Sequence, residues 1–174
     1  MTQAKDIEEL NTRLSSSKPK DIIQEVSELW PNLAISFSGA EDVALIDMAS
    51  KLIDEPAIFT LDTGRLHAQT YEFIESVRKH YVLPIETLHP DPQHLSRLIQ
   101  NKGLFSFYED GHEECCSIRK VEPLRGKLAT VDAWITGQRC DQSPTRTEVP
   151  IIQVDSTFST SDHPIVKINP LANW

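Results

Sequence analysis

Leu33-Ala34-Ile35-Ser36-Phe37-Ser38-Gly39-Ala40-Glu41-Asp42 decides the fold. A strand-forming run passes through small residues straight into an amphipathic stretch, in which Val43, Ile46, Met48, Ala49, Leu52 and Ile53 form a wide apolar face. That is the opening of a strand–helix–strand unit. The pattern then repeats. Ala57 to Leu61 reads as a strand ending at Asp62-Thr63-Gly64, Tyr71, Ile74, Val77 and Tyr81 mark the next helix, Leu83 to Leu88 is a third strand, and Asp91 to Asn101 a third crossover helix. Strands alternating with helices of this length predict an α/β protein with an open, mostly parallel sheet and helices on both faces.

Outward from that centre the pattern is less regular. Residues 1–18 read as a polar helix, loosely attached, and residues 19–174 as one domain. Pro19 and Asp21 start a helix carrying Ile22, Ile23, Val26, Leu29 and Trp30 at helical spacing, and Pro31 stops it. Gly111 to Ala129 reads as helical with a break before Pro123, because the residue preceding proline avoids the helical region. Ala133 to Thr136 and Val149 to Val154 are further strands, the second at an edge on account of Pro150. The ending at Trp174, apolar and without a polar tail, suggests a domain that is incomplete at its C-terminus.

Composition excludes several classes. A chain of 174 residues with 39% hydrophobic content is long enough for one sizeable core. A net charge of −9 disfavours nucleic acid as a partner, which would need a basic surface. No apolar run reaches membrane-spanning length, and the polar start lacks a signal-peptide pattern. Three cysteines without regular spacing do not make a disulfide framework. These features predict a soluble cytoplasmic protein, and they leave homo-oligomer formation open.

Ligands of open parallel sheets bind beyond the carboxyl ends of the strands, and there this chain keeps its unusual loops. Ser36-Phe37-Ser38-Gly39 offers hydroxyls and backbone N–H groups to an anion, although the same loop also reads as an ordinary turn with Ser38 near the helix start. Leu61-Asp62-Thr63-Gly64-Arg65 combines a glycine that permits close approach with a guanidinium fork. Gly137-Gln138-Arg139-Cys140 continues to Arg146 as a polar loop with two arginines. Small or cationic residues at three strand ends of an acidic chain point to a compact, doubly anionic ligand.

Cys115 and Cys116 are adjacent, a spacing that strains a disulfide but suits thiolate ligation of a metal cluster. Arg119 and Lys120 nearby favour thiolate, although both also read as a solvated helix face. His112 taken alone is a surface or capping histidine, and Cys140 a free thiol.

Taken together, Ser36 to Asp42, Leu61 to His67, Lys102-Gly103-Leu104-Phe105-Ser106-Phe107-Tyr108, the segment from Cys115-Cys116 to Pro123, and Gly137-Gln138-Arg139 to Arg146 resemble the assimilatory adenosine 5′-phosphosulfate reductases. These are the cluster-containing branch of the phosphoadenosine/adenosine phosphosulfate reductase family. The resemblance runs from about Pro31 onward. It implies an adenine nucleotide α-hydrolase-like fold with a modified pyrophosphatase loop. Ala40 and Val43 stand where ATP-cleaving relatives carry glycine and serine, which argues against ATP cleavage.

The resemblance further implies thioredoxin-dependent reduction of adenosine 5′-phosphosulfate to sulfite and AMP, through an S-sulfocysteine on a cysteine beyond Trp174. Ser36, Phe37, Ser38, Gly39, Leu61, Thr63, Gly64, Arg65, Gly137, Gln138, Arg139 and Arg146 would bind substrate. Lys120 and His112 would support the chemistry. Cys115 and Cys116 would supply two of four ligands to a 4Fe–4S cluster, completed by a downstream Cys-x-x-Cys pair that this chain lacks. Reduction of the 3′-phosphorylated substrate, or nucleotide binding without catalysis, are the alternatives.

Overall fold

The computed structural model describes residues 4–109, 111–142 and 149–174. Six strands form one sheet: β1 (Leu33–Ser36), β2 (Ala57–Leu61), β3 (Ile85–Leu88), β4 (Ala133–Ile135), β5 (Ile152–Val154) and β6 (Val166–Ile168). Their spatial order is β3-β2-β1-β4-β6-β5. All neighbours are parallel except β5 and β6, so the parallel sheet predicted from the alternation carries one antiparallel edge strand. Ile35 at the centre faces Ile58 on one side and Ile135 on the other.

The pleat sends alternate residues to opposite faces, and both are buried. Leu33, Ile35, Ile58, Ile135 and Ile168 join one core with residues of the helices α1 (Ala4–Leu14), α2 (Pro19–Leu29), α3 (Val43–Ala49) and α4 (Ala68–Tyr81). Ala34, Phe59 and Trp134 point the other way, onto Leu128 and partly buried Leu124 of α8 (Glu122–Leu128). α5 (Pro92–Lys102) starts where the Asp91 carboxylate accepts from the Gln93 and His94 N–H groups at 2.9 and 3.0 Å, with Pro92 in the first turn. Two short helices, α6 (Ser106–Glu109) and α7 (Glu113–Cys116), complete the set. None of the described helices is long and apolar enough to cross a membrane.

Four expectations are corrected. The first helix is not loose: Ile7 and Leu14 are buried in the main core, and Asn11 Oδ1 accepts from the N–H groups of Ile151 and Ile152 at 2.9 and 3.2 Å. Helical structure does not break before Pro123. A π-helical turn, Ser117–Val121, links α7 to α8, and the Glu122 N–H reaches back to Ser117 O. The ladder is already shifted there, so the missing proline N–H interrupts nothing. β6 was not expected at all, and it inserts between β4 and β5. Finally, α3 ends at Ala49, with Leu52 and Ile53 in the turn that follows and still packed on the core.

Candidate functional site

β1 pairs with β2 on one side and β4 on the other, the strand order reverses between β1 and β4, and β1 and β2 end at the carboxyl edge of the sheet beside that reversal. A cavity of about 480 Å³ opens there, lined by Ser36 at the end of β1 with Phe37, Ser38 and Gly39 after it, by Leu61 at the end of β2 with Thr63 after it, and by Lys120, among others. A second cavity of about 250 Å³ adjoins it, lined by Thr63, Arg65, Cys115, Cys116 and Lys120 among others. Thr63, Leu66 and Lys120 line both, so the two form one trench. Its first part is walled mainly by apolar side chains, among them Phe37, Leu61, Leu66, Phe73 and Ile74; its second brings Arg65, Arg119, Lys120 and the two thiols together with the rings of Phe107 and Tyr108.

The loop after β1 is built differently from the expectation. Asp42 Oδ2 accepts from the Ser38 N–H at 2.7 Å, the Ser38 hydroxyl at 2.9 Å and the Gly39 N–H at 3.0 Å. Those donors, expected to face an external anion, are held by the chain's own buried carboxylate. The loop therefore contributes a shaped wall more than free donors. Gly137 fits against it, because a Cβ there would overlap Asp42 Oδ1. In this way the loops after β1 and β4 are locked together.

The turn after β2 is fixed from two sides. Asp62 Oδ1 accepts from the Gly64 N–H and from the Tyr71 hydroxyl, both at 2.8 Å. The bond to Asp62 pushes the Tyr71 phenol above its ordinary range. Gly64 has φ 69°, a left-handed conformation natural to glycine. Arg65 donates to Leu104 O at 3.1 Å and stands over the rings of Phe107 and Tyr108, 5.9 and 5.5 Å from their centroids.

Arg119 is buried rather than a solvated helix residue, and its Nη1 donates to Thr63 O at 2.6 Å. Its Nε has no hydrogen-bond partner among the described residues. Cys115 is buried and Cys116 half-buried, and both thiols, like Cys140, are free. Two thiols beside a buried guanidinium and Lys120 fit an anionic thiolate-ligated group. Among the described residues no set of three or more His, Cys, Asp or Glu side chains could hold a metal ion, so the pair alone is not a complete ligand set.

The other predicted residues that are described line neither cavity. His112 is exposed and lines neither cavity, its ring 6.1 Å from that of Phe107. Arg139 is engaged by Asp141 at 3.2 Å and by Glu41 at 3.9 Å. Gln138 stays near β4, its N–H 3.4 Å from the Thr136 hydroxyl. Arg146 lies outside the described residues. Sequence reasoning missed Asp42, Gln69, Thr70 and Phe73. The spacing of Asp42 three residues after Gly39 was the one available signal, since carboxylates at that distance reach back to a helix start.

A profile of the phosphoadenosine phosphosulfate reductase domain matches residues 32–174. The chain belongs to that family. Phosphosulfate reductase relatives include an adenosine 5′-phosphosulfate reductase of Pseudomonas aeruginosa, 52% identical over 99% of this chain and 66% of its own length. The chloroplastic 5′-adenylylsulfate reductase 3 of Arabidopsis thaliana is 51% identical over 99% of this chain and 39% of its own length. The chain thus spans just under two thirds of the one and two fifths of the other. Among solved structures, phosphoadenylyl-sulfate reductase from Candida auris in a phosphate complex superposes with a TM-score of 0.81 at 26% identity, covering 100% of this chain and 82% of that one. Candida glabrata FMN adenylyltransferase, with a TM-score of 0.56 and 15% identity over 100% of this chain and 55% of that one, shares the fold alone. The chain therefore has the adenine nucleotide α-hydrolase-like fold that the resemblance implied.

Proposed function

We propose that this chain is the nucleotide-binding part of an adenosine 5′-phosphosulfate reductase, which releases sulfite and AMP in assimilatory sulfate reduction. The observation that carries the reading is Lys120, which borders both the apolar cavity and the cysteine cavity. A nucleoside fits the first, with Leu61 and Phe37 against its base, and the phosphosulfate then crosses Lys120 toward Arg65 and the cysteines. The names of the relatives support the same substrate.

The dianionic phosphosulfate resists a thiolate nucleophile until its charge is neutralised, which is the work of Lys120 and Arg65 here; Arg146 would join them, and so would Arg139 on leaving Asp141 and Glu41. His112 would act from the cysteine side once drawn inward. Thiolate attack on sulfur forms an S–S bond and breaks the bond from sulfur to the phosphate oxygen, whose electron pair leaves with AMP. A dithiol of the thioredoxin class then displaces sulfite and is itself oxidised to a disulfide. The nucleophilic cysteine would come from the part of the relatives' length that this chain does not span. Cys115 and Cys116 would hold a 4Fe–4S cluster with two further ligands from that same part, and Arg119 and Lys120 beside them would offset the negative charge of its thiolates. Three free thiols fit work in a reducing cytoplasm.

Calorimetry on the folded chain tests the binding half of this reading. AMP and adenosine 5′-phosphosulfate should each give a binding heat at millimolar concentration. Folded protein that gives none would refute it.

A further inference from the structure

The segment Lys102-Gly103-Leu104-Phe105-Ser106-Phe107-Tyr108 ends in two aromatic side chains that the core does not take: Phe107 is 37% exposed and Tyr108 73%. Their placement begins at Gly103, whose φ of 76° stops α5 and turns the chain. The Leu104 carbonyl accepts from Arg65 Nη2 at 3.1 Å, and buried Ser106 anchors α6. Phe107 and Tyr108 meet edge to face, their centroids 5.1 Å apart, and the Arg65 guanidinium stands 5.9 and 5.5 Å from them. The Arg65 N–H is held as well, by the Thr63 hydroxyl at 3.2 Å. Arg65, Phe107 and Tyr108 together line the second part of the trench. A free arginine side chain samples many rotamers, and a ligand has to order it on binding. Rings that attract the guanidinium order it in advance and leave its in-plane donors for oxygen acceptors.

From these contacts we propose that Phe107 and Tyr108 are positioning residues for the phosphosulfate, acting through Arg65. A carbonyl fixes one donor of the guanidinium and two rings hold its position, so the remaining donors meet the ligand in one arrangement. The inference rests on the role given to Arg65 above. What holds the cation is the negative face of each ring rather than apolar bulk. Two uncharged side chains at the surface thereby enter into anion recognition, and they do so through the arginine.

Calorimetry with adenosine 5′-phosphosulfate and AMP tests this on the folded chain. Because Tyr108 is largely exposed, changes there leave the core untouched. Tyr108→Ala should weaken adenosine 5′-phosphosulfate by about threefold, the size of an exposed cation–π contact, and AMP by less. Tyr108→Phe should bind like the wild type, since the ring is kept. Tyr108→Leu should bind like the alanine variant, since bulk is kept and the π face is lost. In an Arg65→Ala background, Tyr108→Ala should have no further effect. A role in packing alone would be rescued by leucine and would lower both ligands together. Wild-type affinity in Tyr108→Ala or Tyr108→Leu, or a loss that persists without Arg65, overturns the positioning role while the nucleotide reading stands. Folded wild type that binds neither ligand removes both.

Discussion

Gly137 leaves the space that the Asp42 carboxylate occupies: a Cβ at Gly137 would overlap Oδ1, while Oδ2 holds three donors of the Ser38–Gly39 loop. Replacing the glycine by alanine moves a buried carboxylate off those donors. Each buried donor left unmade costs on the order of 1–3 kcal/mol. Gly137→Ala should therefore lower the melting temperature and weaken AMP by about tenfold or more. Calorimetry and a thermal melt would check this, and unchanged values would mean that the two loops are not locked.

Lys120 stands between the two cavities, so its charge should matter most for a ligand that reaches across both. Hydrogen bonds to charged groups contribute about 1.5–3 kcal/mol. Lys120→Ala should weaken adenosine 5′-phosphosulfate by about tenfold while AMP loses less. An equal loss for both ligands would place Lys120 at the shared phosphate and not beside the sulfate.

Tyr71 donates to the Asp62 oxygen that also holds the Gly64 N–H, and this bond raises the phenol above its ordinary range. For a group whose folded pKa is raised, the stabilisation is complete below the unfolded value of about 10 and is lost as pH rises through the folded one. AMP affinity should thus hold steady from neutrality and fall above about pH 10, as a phenolate forms against a carboxylate. Tyr71→Phe should bind AMP slightly less well, by at most about 1 kcal/mol for so exposed a pair, with no such alkaline decline. A wild-type decline that Tyr71→Phe reproduces would exclude Tyr71 as its source.

The cysteine pair makes a prediction about iron. Two thiols are half of the four that a 4Fe–4S cluster takes. Reconstitution of this chain with iron and sulfide should give well under one cluster per chain by iron analysis and visible absorbance. Cys115→Ser should abolish what iron is retained, and Cys140→Ser should leave it unchanged. A full cluster, or its loss with Cys140, would show that the ligands are assigned wrongly.

The central fold was legible because its signal is local. β1 and β2 are buried on both faces and read as apolar runs, and Asp91 with Pro92 announces α5 by cap chemistry alone. β6 was not legible. Val166-Lys167-Ile168 is short, has a charge at its centre, and becomes a strand through its ladders to β4 and β5. Pro123 misled because a rule about the preceding residue was overridden by a π-helical turn that local composition does not announce. In the site, the loop after β1 read equally as an anion site and as an ordinary turn, and Asp42 draws the donors of Ser38 and Gly39 into the turn. Arg119 reads as one more surface charge until Thr63, 56 residues away, is brought against it.

Asn11 bears on how this protein stays in solution. β5 is the last strand of the sheet, and an open edge is a template on which strands of other molecules can be added. By taking the N–H groups of Ile151 and Ile152 onto one amide oxygen, α1 withdraws donors that a foreign strand would need. The first helix is thus a guard against polymerisation as well as a piece of core. A chain beginning at Pro19 would keep the whole trench, yet it would expose an apolar seam where molecules could zip together.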